Sequence, residues 1–242
     1  MTRKIFILIF LILLTGFSSF NKKTKTSDHE ILSYIVDPTK QELHFFWLDD
    51  QGNPLRSIQN LKNHLSNQKS NLLFAVNGGM YKPDHSPQGL FIQDQKQLSP
   101  LDTSSGKGNF YLKPNGVFYI TTDNKPFICE TSRFENKGQV KNATQSGPML
   151  VIDGAVNGAF KQGSTNLNIR NGVGILPNNK IVFAMSKKEI NFYDFADYFK
   201  KLGCKQALYL DGFVSRTYLP EKKWVQTDGN FGVMLGIIEE KK

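Results

Sequence analysis

The sequence predicts an α+β fold, a single domain in which a mixed, largely antiparallel β-sheet is accompanied by a few helices. Many short apolar segments end at turn residues, which is typical of strands. Only two segments carry a helical repeat of apolar side chains, and they do not alternate regularly with the strands. That irregularity argues against a doubly wound parallel sheet. A chain of 242 residues is long enough to bury one core.

The strand predictions follow the apolar runs along the chain. They cover residues 30–36, 42–48, 72–76, 89–93, 116–121, 126–130, 149–152, 155–156, 169–176, 180–185, 207–210, 214–219 and 231–238. The strongest hairpin signal is Asp153-Gly154, because this dipeptide favours the backbone of a two-residue turn.

Two helices are predicted from spacing. Pro54 is expected to open the first, whose apolar stripe continues from Leu55 to Leu65 at three- and four-residue steps. The second spans the aromatic repeat from Phe192 to Leu202. Asn191 can cap its start and Gly203 can end it in a left-handed conformation.

The N-terminus has the pattern of a secretory signal peptide. Basic residues precede an apolar run from Ile5 to Leu14, and small residues follow it. The run is shorter than the roughly 20 residues that span a bilayer as a helix. We therefore predict a signal peptide at 1–19, a tether at 20–28 and a folded domain at 29–242, with export to the periplasm or outside the cell. The rival interpretation is an uncleaved anchor.

The charge pattern narrows the choice of partners. The formal net charge of +9 favours phosphate-bearing partners. Export makes nucleic acid an unsuitable partner, and no stable membrane span is expected once the signal is cleaved. Cys129 and Cys204 can either pair in an oxidising compartment or serve as small buried side chains. Two distant cysteines and four scattered histidines do not form a zinc motif.

Three polar, glycine-rich segments stand at the ends of apolar strands. They are Asn77-Gly78-Gly79-Met80-Tyr81, Gln145-Ser146-Gly147-Pro148-Met149 and Leu210-Asp211-Gly212-Phe213-Val214-Ser215-Arg216. Glycines allow a ligand to approach the backbone closely. Each segment also has a purely structural interpretation. The first can be a plain turn, the second a Gly-Pro turn, and the Asp-Gly of the third a hairpin.

Single residues add to these segments. Asp211 follows apolar strand residues, so its carboxylate must be satisfied by hydrogen bonds or a cation. Arg170 stands in an otherwise apolar strand, and its planar guanidinium matches phosphate oxygens unless it is simply exposed. His85 lies in a polar, proline-rich loop, where it is either part of a site or a lone surface histidine.

The segments resemble, in the same order, the motifs of the phosphodiester glycosidase family. They are the three named above together with Asp153-Gly154 and Arg170-Asn171-Gly172-Val173-Gly174. The resemblance covers roughly residues 72–238. One departure is Phe213-Val214-Ser215-Arg216-Thr217, where the better-known branch has a glycine-rich, Ser-Ser-Thr-like run. The chain therefore looks like a bacterial branch, and the identity of the sugar does not carry over.

The resemblance implies an α+β fold and hydrolysis of the glycosidic bond to a phosphodiester. Taken with the residues themselves, it predicts Asp211, Arg170, Asn77 and Ser146 as catalytic. The predicted substrate-binding residues are Gly78, Gly79, Tyr81, His85, Gln145, Gly147, Asn171, Gly212, Ser215 and Arg216.

The predicted roles follow from the charges in the reaction. Arg170 and Arg216 are assigned to the phosphate, with help from the N–H groups of Gly78 and Gly79. Asp211 is assigned to the sugar as base, nucleophile or electrostatic partner. Asp84, Asp102 and Asp153 are the other candidate carboxylates.

Other partners and classes stay open at this stage. The expected partner is a phosphorylated carbohydrate. No organic cofactor is expected, whereas calcium or magnesium would suit a carboxylate beside a phosphate. The rival classes are a non-catalytic envelope protein that binds anionic glycans, and a structural envelope protein in which the Asp-Gly segments are only hairpins.

Overall fold

The computed structural model describes residues 30–241. The predicted signal peptide and tether lie outside these residues. Within the described chain the strands are β1 (Ile31–Val36), β2 (Leu43–Phe46), β3 (Ser70–Asn77), β4 (Phe91–Gln93), β5 (Lys96–Ser99), β6 (Gly116–Thr121), β7 (Pro126–Glu130), β8 (Val140–Ser146), β9 (Met149–Ile152), β10 (Ala155–Val156), β11 (Asn171–Ile175), β12 (Ile181–Ser186), β13 (Ala207–Asp211), β14 (Thr217–Leu219), β15 (Trp224–Val225) and β16 (Met234–Glu240). The helices are α1 (Ile58–Asn67) and α2 (Phe192–Lys201), with short 3-10 turns at Asn109–Tyr111, Thr131–Arg133 and Pro220–Lys222.

The strands form three sheets. The first sheet has the order β1-β12-β11-β13-β9-β10, the second β15-β14-β3-β16-β2, and the third β5-β4-β8-β6-β7. Every strand pair in the described part of the chain is antiparallel. The predicted α+β class and the single domain are confirmed, and the sheet is divided into three.

A central core joins the three sheets. Phe74 from the second sheet packs on Phe183 from the first with 5.3 Å between ring centroids, and Phe118 from the third meets Phe183 edge-on at 6.1 Å. All three rings are buried. Contacts between offset or edge-on aromatic rings add to the stabilisation from burial, so this cluster fixes the three sheets relative to one another.

Each helix covers the outer face of one sheet. Helix α2 buries Phe195 and Phe199 against the first sheet, and α1 buries Ile58 and Leu61 against the second. The first and second sheets are therefore each covered by a helix on the face that does not meet the central core. This arrangement leaves the ends of the strands as the places where polar side chains can gather.

Several sequence predictions differ from the structure in detail. Pro54 does not open the first helix, because α1 begins at Ile58 behind the cap Ser57, whose side chain accepts a hydrogen bond from the Asn60 N–H. Strand β8 was not predicted because its sequence is polar. It is nevertheless an inner strand of the third sheet, between β4 and β6. Cys129 and Cys204 are both free, and Cys204 is buried.

The second helix begins and ends as predicted. The Asn191 side chain accepts a hydrogen bond from the Asp194 N–H at 2.9 Å, and Gly203 adopts a φ of 83° after the last turn. The Asp153-Gly154 turn also has two positive φ angles, 50° and 81°, as the hairpin prediction requires.

Removal of the Asn191 cap should destabilise the protein measurably. Asn191→Ala leaves the Asp194 N–H without its acceptor, and we expect a loss of about 1 kcal/mol in the free energy of unfolding. Urea denaturation measures this loss, and Asn191→Ser, which keeps a capping oxygen without placing a second carboxylate beside Asp194, serves as the control. Equal stability of the alanine and serine variants would contradict the capping role.

Candidate active site

Three strand ends meet between the first and second sheets. Asn77 is the last residue of β3, Asn171 is the first residue of β11, and Asp211 is the last residue of β13. Asn171 and Asp211 are register partners across the first sheet. All three positions carry polar side chains next to the apolar central core, so they form the centre of the candidate site.

An extra residue in β13 decides where Asp211 points. Asn171 pairs with Asp211 and Gly172 pairs with Tyr209, so Leu210 has no partner on β11. Side chains alternate between the faces of a strand, and a bulge of this kind interrupts the alternation. Tyr209 packs toward α2, whereas the Asp211 side chain contacts Asn77 at the end of the second sheet.

The Asn77 amide is held in one orientation. Its Oδ1 accepts hydrogen bonds from the Arg216 N–H and the Asn171 Nδ2, both at 2.9 Å. A backbone N–H can only donate, so the oxygen of the amide must face Arg216. The Nδ2 of Asn77 is therefore directed at Asp211, where it donates to Oδ2 at 3.0 Å.

The Asp211 carboxylate is desolvated and carries no ion pair in the described chain. Burial raises the pKa of Asp211 from 3.8 to about 6, against the opposing effect of hydrogen bonds from the Gly212 N–H and the Asn77 amide. The Gly212 N–H donates to Oδ1 at 2.7 Å. A carboxyl group with this pKa can exchange a proton near neutral pH, as general acids and bases must.

Asn171 adds a buried acceptor to the same place. Its Nδ2 donates to the carbonyl and side-chain oxygens of Asn77, at 3.0 and 2.9 Å. Its Oδ1 is buried without a hydrogen-bond partner in the described chain. Buried polar atoms are nearly always paired, so this oxygen is suited to accept a hydrogen bond from a bound hydroxyl or water.

Ser146 and Gln145 lie beneath the site. Both side chains are completely buried. The Ser146 hydroxyl donates to the carbonyl of the bulge residue Leu210 at 2.9 Å. The Gln145 side chain accepts from the Leu90 and Asp102 N–H groups and donates to Asp102 and Thr131. In the structure, both side chains hold neighbouring backbone segments in place through hydrogen bonds.

Several glycines are required by close packing. A Cβ on Gly79 would lie 2.6 Å from the Gln145 carbonyl, and a Cβ on Gly147 would lie 2.5 Å from the Asn115 Cβ. The Gly78 N–H donates to the Val233 carbonyl at 2.8 Å, so it is already engaged. Close packing therefore accounts for the glycines at these positions.

Tyr81 and His85 form one wall near the carboxylate. Their rings stack with 5.4 Å between centroids. Burial, and secondarily the charge of Asp211, raise the pKa of Tyr81. The His85 ring has a buried Nδ1 without a hydrogen-bond partner in the described chain, and Trp47 Nε1 donates to the His85 carbonyl at 3.0 Å. The structure therefore brings the predicted Tyr81 and His85 together.

Ser215 and Arg216 hold the turn that follows Asp211. The Ser215 hydroxyl donates to the Asp211 carbonyl at 3.2 Å. The guanidinium of Arg216 points away and forms an ion pair with Asp228 at 2.9 Å. The backbone of Arg216, rather than its charge, contacts Asn77 in this structure. The Asp211-Gly212 segment joins the first sheet to the second, so it is not a hairpin.

Arg170 lies on the α2 face of the first sheet. Its side chain is completely buried, with the guanidinium carbon 3.6 Å from the centroid of the Phe192 ring. It donates to the Ile190 carbonyl at 2.7 Å and to the Tyr209 hydroxyl at 3.3 Å. The structure does not bring this guanidinium to the Asp211 carboxylate, and its predicted phosphate contact stays a prediction.

The other predicted carboxylates lie elsewhere. Asp84 is exposed and bonds to Ser86 in its own loop. Asp102 accepts from Tyr111 and Gln88. Asp153 lies in the β9–β10 turn and accepts from Gln206, near the start of β13 rather than its end. Asp211 is therefore the candidate carboxylate whose side chain hydrogen-bonds to other predicted site residues, Asn77 and Gly212.

Sequence reasoning missed Tyr209. A Cβ on Gly212 would collide with the Tyr209 hydroxyl, so this phenol lies against the turn after Asp211. A tyrosine within an aliphatic strand usually has a partner for its hydroxyl. That pattern was the available signal.

Neither a cluster of metal ligands nor a membrane-spanning helix occurs within residues 30–241. No three histidine, cysteine, aspartate or glutamate side chains gather there as a set of metal ligands. None of the helices in that range has the length and apolar character needed to cross a bilayer.

The fold and these ordered motifs define a class of protein. The chain belongs to the phosphodiester glycosidase family, whose model matches residues 70–235. It is also similar to the uncharacterized protein YigE of Escherichia coli K12, with 36% identity over 190 residues that cover 78% of this chain and 74% of that protein.

Solved structures share the fold. The catalytic domain of zebrafish N-acetylglucosamine-1-phosphodiester alpha-N-acetylglucosaminidase, auto-inhibited by its pro-peptide, matches with a TM-score of 0.59 and 15% identity, over 86% of this chain and 83% of that one. A putative exported protein from Burkholderia pseudomallei matches with a TM-score of 0.54 and 10% identity, over 86% and 73%. At these identities the likeness concerns the fold.

The raised pKa of Asp211 should make stability depend on pH. Its folded pKa of about 6 exceeds the unfolded value of 3.8, so the folded state binds the proton more tightly. The contribution of Asp211 to stability is therefore complete below pH 3.8 and is lost as the pH rises to about 6 and above. We expect Asp211→Asn to gain roughly 2 to 3 kcal/mol relative to wild type between pH 4 and 7.

Urea unfolding of both proteins across this pH range measures the difference. A difference that does not change with pH would mean that the carboxylate titrates as it does in water.

Proposed function

We propose that this protein is an exported hydrolase that cleaves the glycosidic bond of a sugar-phosphate diester in an envelope or extracellular glycan. The observation that carries the proposal is the Asp211 carboxylate, which is desolvated, directed by Asn77 and located where the family motifs meet. Family membership supports the phosphodiester glycosidase class of reaction.

The chemistry of the substrate suits one well-placed carboxylate. When the glycosidic bond breaks, the phosphate monoester leaves with its own negative charge, so it needs less help from a general acid than an alcohol does. The sugar carbon gains positive charge in an oxocarbenium-like transition state. A carboxylate in a desolvated position stabilises that charge more strongly than one in water.

Asp211 meets these needs in three ways. With a pKa of about 6 it is mainly ionised at neutral pH. Both oxygens are oriented, Oδ1 by the Gly212 N–H and Oδ2 by the Asn77 amide. We assign it to the sugar side as base, nucleophile or electrostatic partner. The buried Oδ1 of Asn171 is available beside it to accept a hydrogen bond from a sugar hydroxyl.

Two further features set the context of the proposal. The zebrafish enzyme that shares the fold acts on an N-acetylglucosamine-1-phosphodiester according to its name, so diesters of amino sugars are the first substrates to try.

The basic and apolar N-terminal pattern supports export. N-terminal sequencing of the secreted chain would test the predicted processing after residue 19.

Hydrolysis of a panel of sugar-1-phosphate diesters tests the reaction. We expect turnover by the wild type, with and without chelator as parallel arms that measure metal dependence. Asp211→Asn should lower kcat/KM by at least about 100-fold, because it removes the negative charge and the proton acceptor. Circular dichroism should show that this variant stays folded.

Asp153→Asn is the matched control. It makes the same chemical change in the other Asp-Gly segment, where the residue forms a hairpin turn away from the site, and it should turn over like wild type. Near-wild-type turnover by Asp211→Asn would contradict the assignment. Binding of the diesters without turnover by wild type would favour the non-catalytic glycan-binding class instead.

A further inference from the structure

A cavity of about 250 Å³ lies beside the N-terminal end of α2. We call it the lysine cavity. Its lining includes Asn109, Lys113, Asn157, Lys161, Asn166 and Phe192. The segment around residues 109–113 forms one wall, and the loop between β10 and β11 forms the other.

The lysine cavity carries uncompensated positive charge. No aspartate or glutamate belongs to its lining. The Lys113 ammonium donates to two neutral oxygens, the Ser104 carbonyl at 3.2 Å and the Asn115 side chain at 3.4 Å. The Lys161 ammonium forms neither an ion pair nor a hydrogen bond within residues 30–241. Such a concave basic site attracts anions.

A third cation lies directly behind the wall. The Arg170 guanidinium contacts the ring of Phe192 and donates to Asn166, both of which line the cavity. Arg170 is completely buried, and none of its hydrogen-bond partners in the described chain is a carboxylate. A buried charge without a counter-charge is costly. An anion in the cavity would therefore offset part of this cost.

The cavity is connected to the candidate active site. The ring of Phe192, which lines the cavity, packs edge-on against Tyr209 with 4.8 Å between centroids, and the Tyr209 hydroxyl lies against Gly212, the residue after Asp211. Asp211 contributes to the raised pKa of Tyr209, after burial, which is the main cause. The two places are thus separated by the end of one strand.

We infer that the lysine cavity binds the phosphate-bearing half of the substrate. Lys113 and Lys161 contact the phosphate oxygens, and Arg170 adds its charge through the wall. This inference rests on the proposed function for the identity of the ligand as a phosphodiester. Lysine serves phosphate as a compact point charge, and the volume suits a phosphoryl group with a small substituent rather than a long glycan.

Lysine variants of the full chain without its signal test the inference. Inorganic phosphate and a sugar phosphate are titrated calorimetrically into wild type, into Lys113→Gln/Lys161→Gln and into Lys96→Gln. We expect the double variant to bind both probes about tenfold more weakly or worse, since two charge-assisted contacts are lost. Lys96→Gln removes one charge from the exposed strand β5 and should bind both like wild type.

Diester hydrolysis by the same proteins separates this inference from the proposed function. The expected result is a rise in KM for the double variant, with a smaller effect on kcat. Unchanged phosphate affinity and unchanged KM in the double variant would overturn the cavity assignment and leave the reaction standing. Lysine-dependent phosphate binding without turnover of any diester would keep the cavity and reject the reaction. A wild type that binds neither probe would also overturn the assignment.

Discussion

One unpaired residue, Leu210, determines which face of the first sheet carries the candidate catalytic carboxylate. If β13 kept its regular alternation past Tyr209, Asp211 would lie on the same face as Tyr209 and point toward α2. The bulge interrupts the alternation, and Asp211 contacts Asn77 of the second sheet. The Ser146 hydroxyl donates to the Leu210 carbonyl. This bond satisfies a backbone group that the bulge leaves without a ladder partner, so the third sheet stabilises the irregularity in the first.

The polar groups of the site are tolerated beside an apolar core because they satisfy one another. Asn77 uses both ends of its amide, accepting from Arg216 and Asn171 and donating to Asp211. A buried hydrogen-bond network of this kind specifies a single arrangement, since any other leaves desolvated donors or acceptors. It also connects the end of β3 to the ends of β11 and β13, and so links the two sheets by polar contacts where the aromatic core ends.

Two charges of opposite sign lie at the same edge of the first sheet, where β13 ends and β11 begins. The half-buried Asp211 is negative and contacts Asn77 of the second sheet, and the buried Arg170 is positive and packs on Phe192 of α2. Neither has a charged partner in the described chain. A glycosidic bond to phosphate places developing positive charge on the sugar and negative charge on the leaving group, so this separation of charges matches the polarity of the proposed reaction.

The sequence by itself determined the fold class, the start and end of α2, the Asp153-Gly154 hairpin and the segments that meet at the site. These are local features: turn dipeptides, caps and apolar periodicity act over a few residues, and the ordered motifs can be read along the chain. Strand β8 escaped prediction because its polar side chains are buried by tertiary hydrogen bonds, such as those of Gln145. The start of α1 escaped it because Ser57 caps that helix, and Pro54 does not begin it.

Only the tertiary structure decided what each site residue does. Arg170 and Arg216 look alike in the sequence, yet one is buried behind Phe192 and the other is paired with Asp228 at the surface. Asp153-Gly154 and Asp211-Gly212 are the same dipeptide, yet one is a hairpin and the other connects two sheets. The physical reason is that burial, register and the partners of a charge depend on residues far apart in the chain, such as Asn77 and Asp211, which no local pattern brings together.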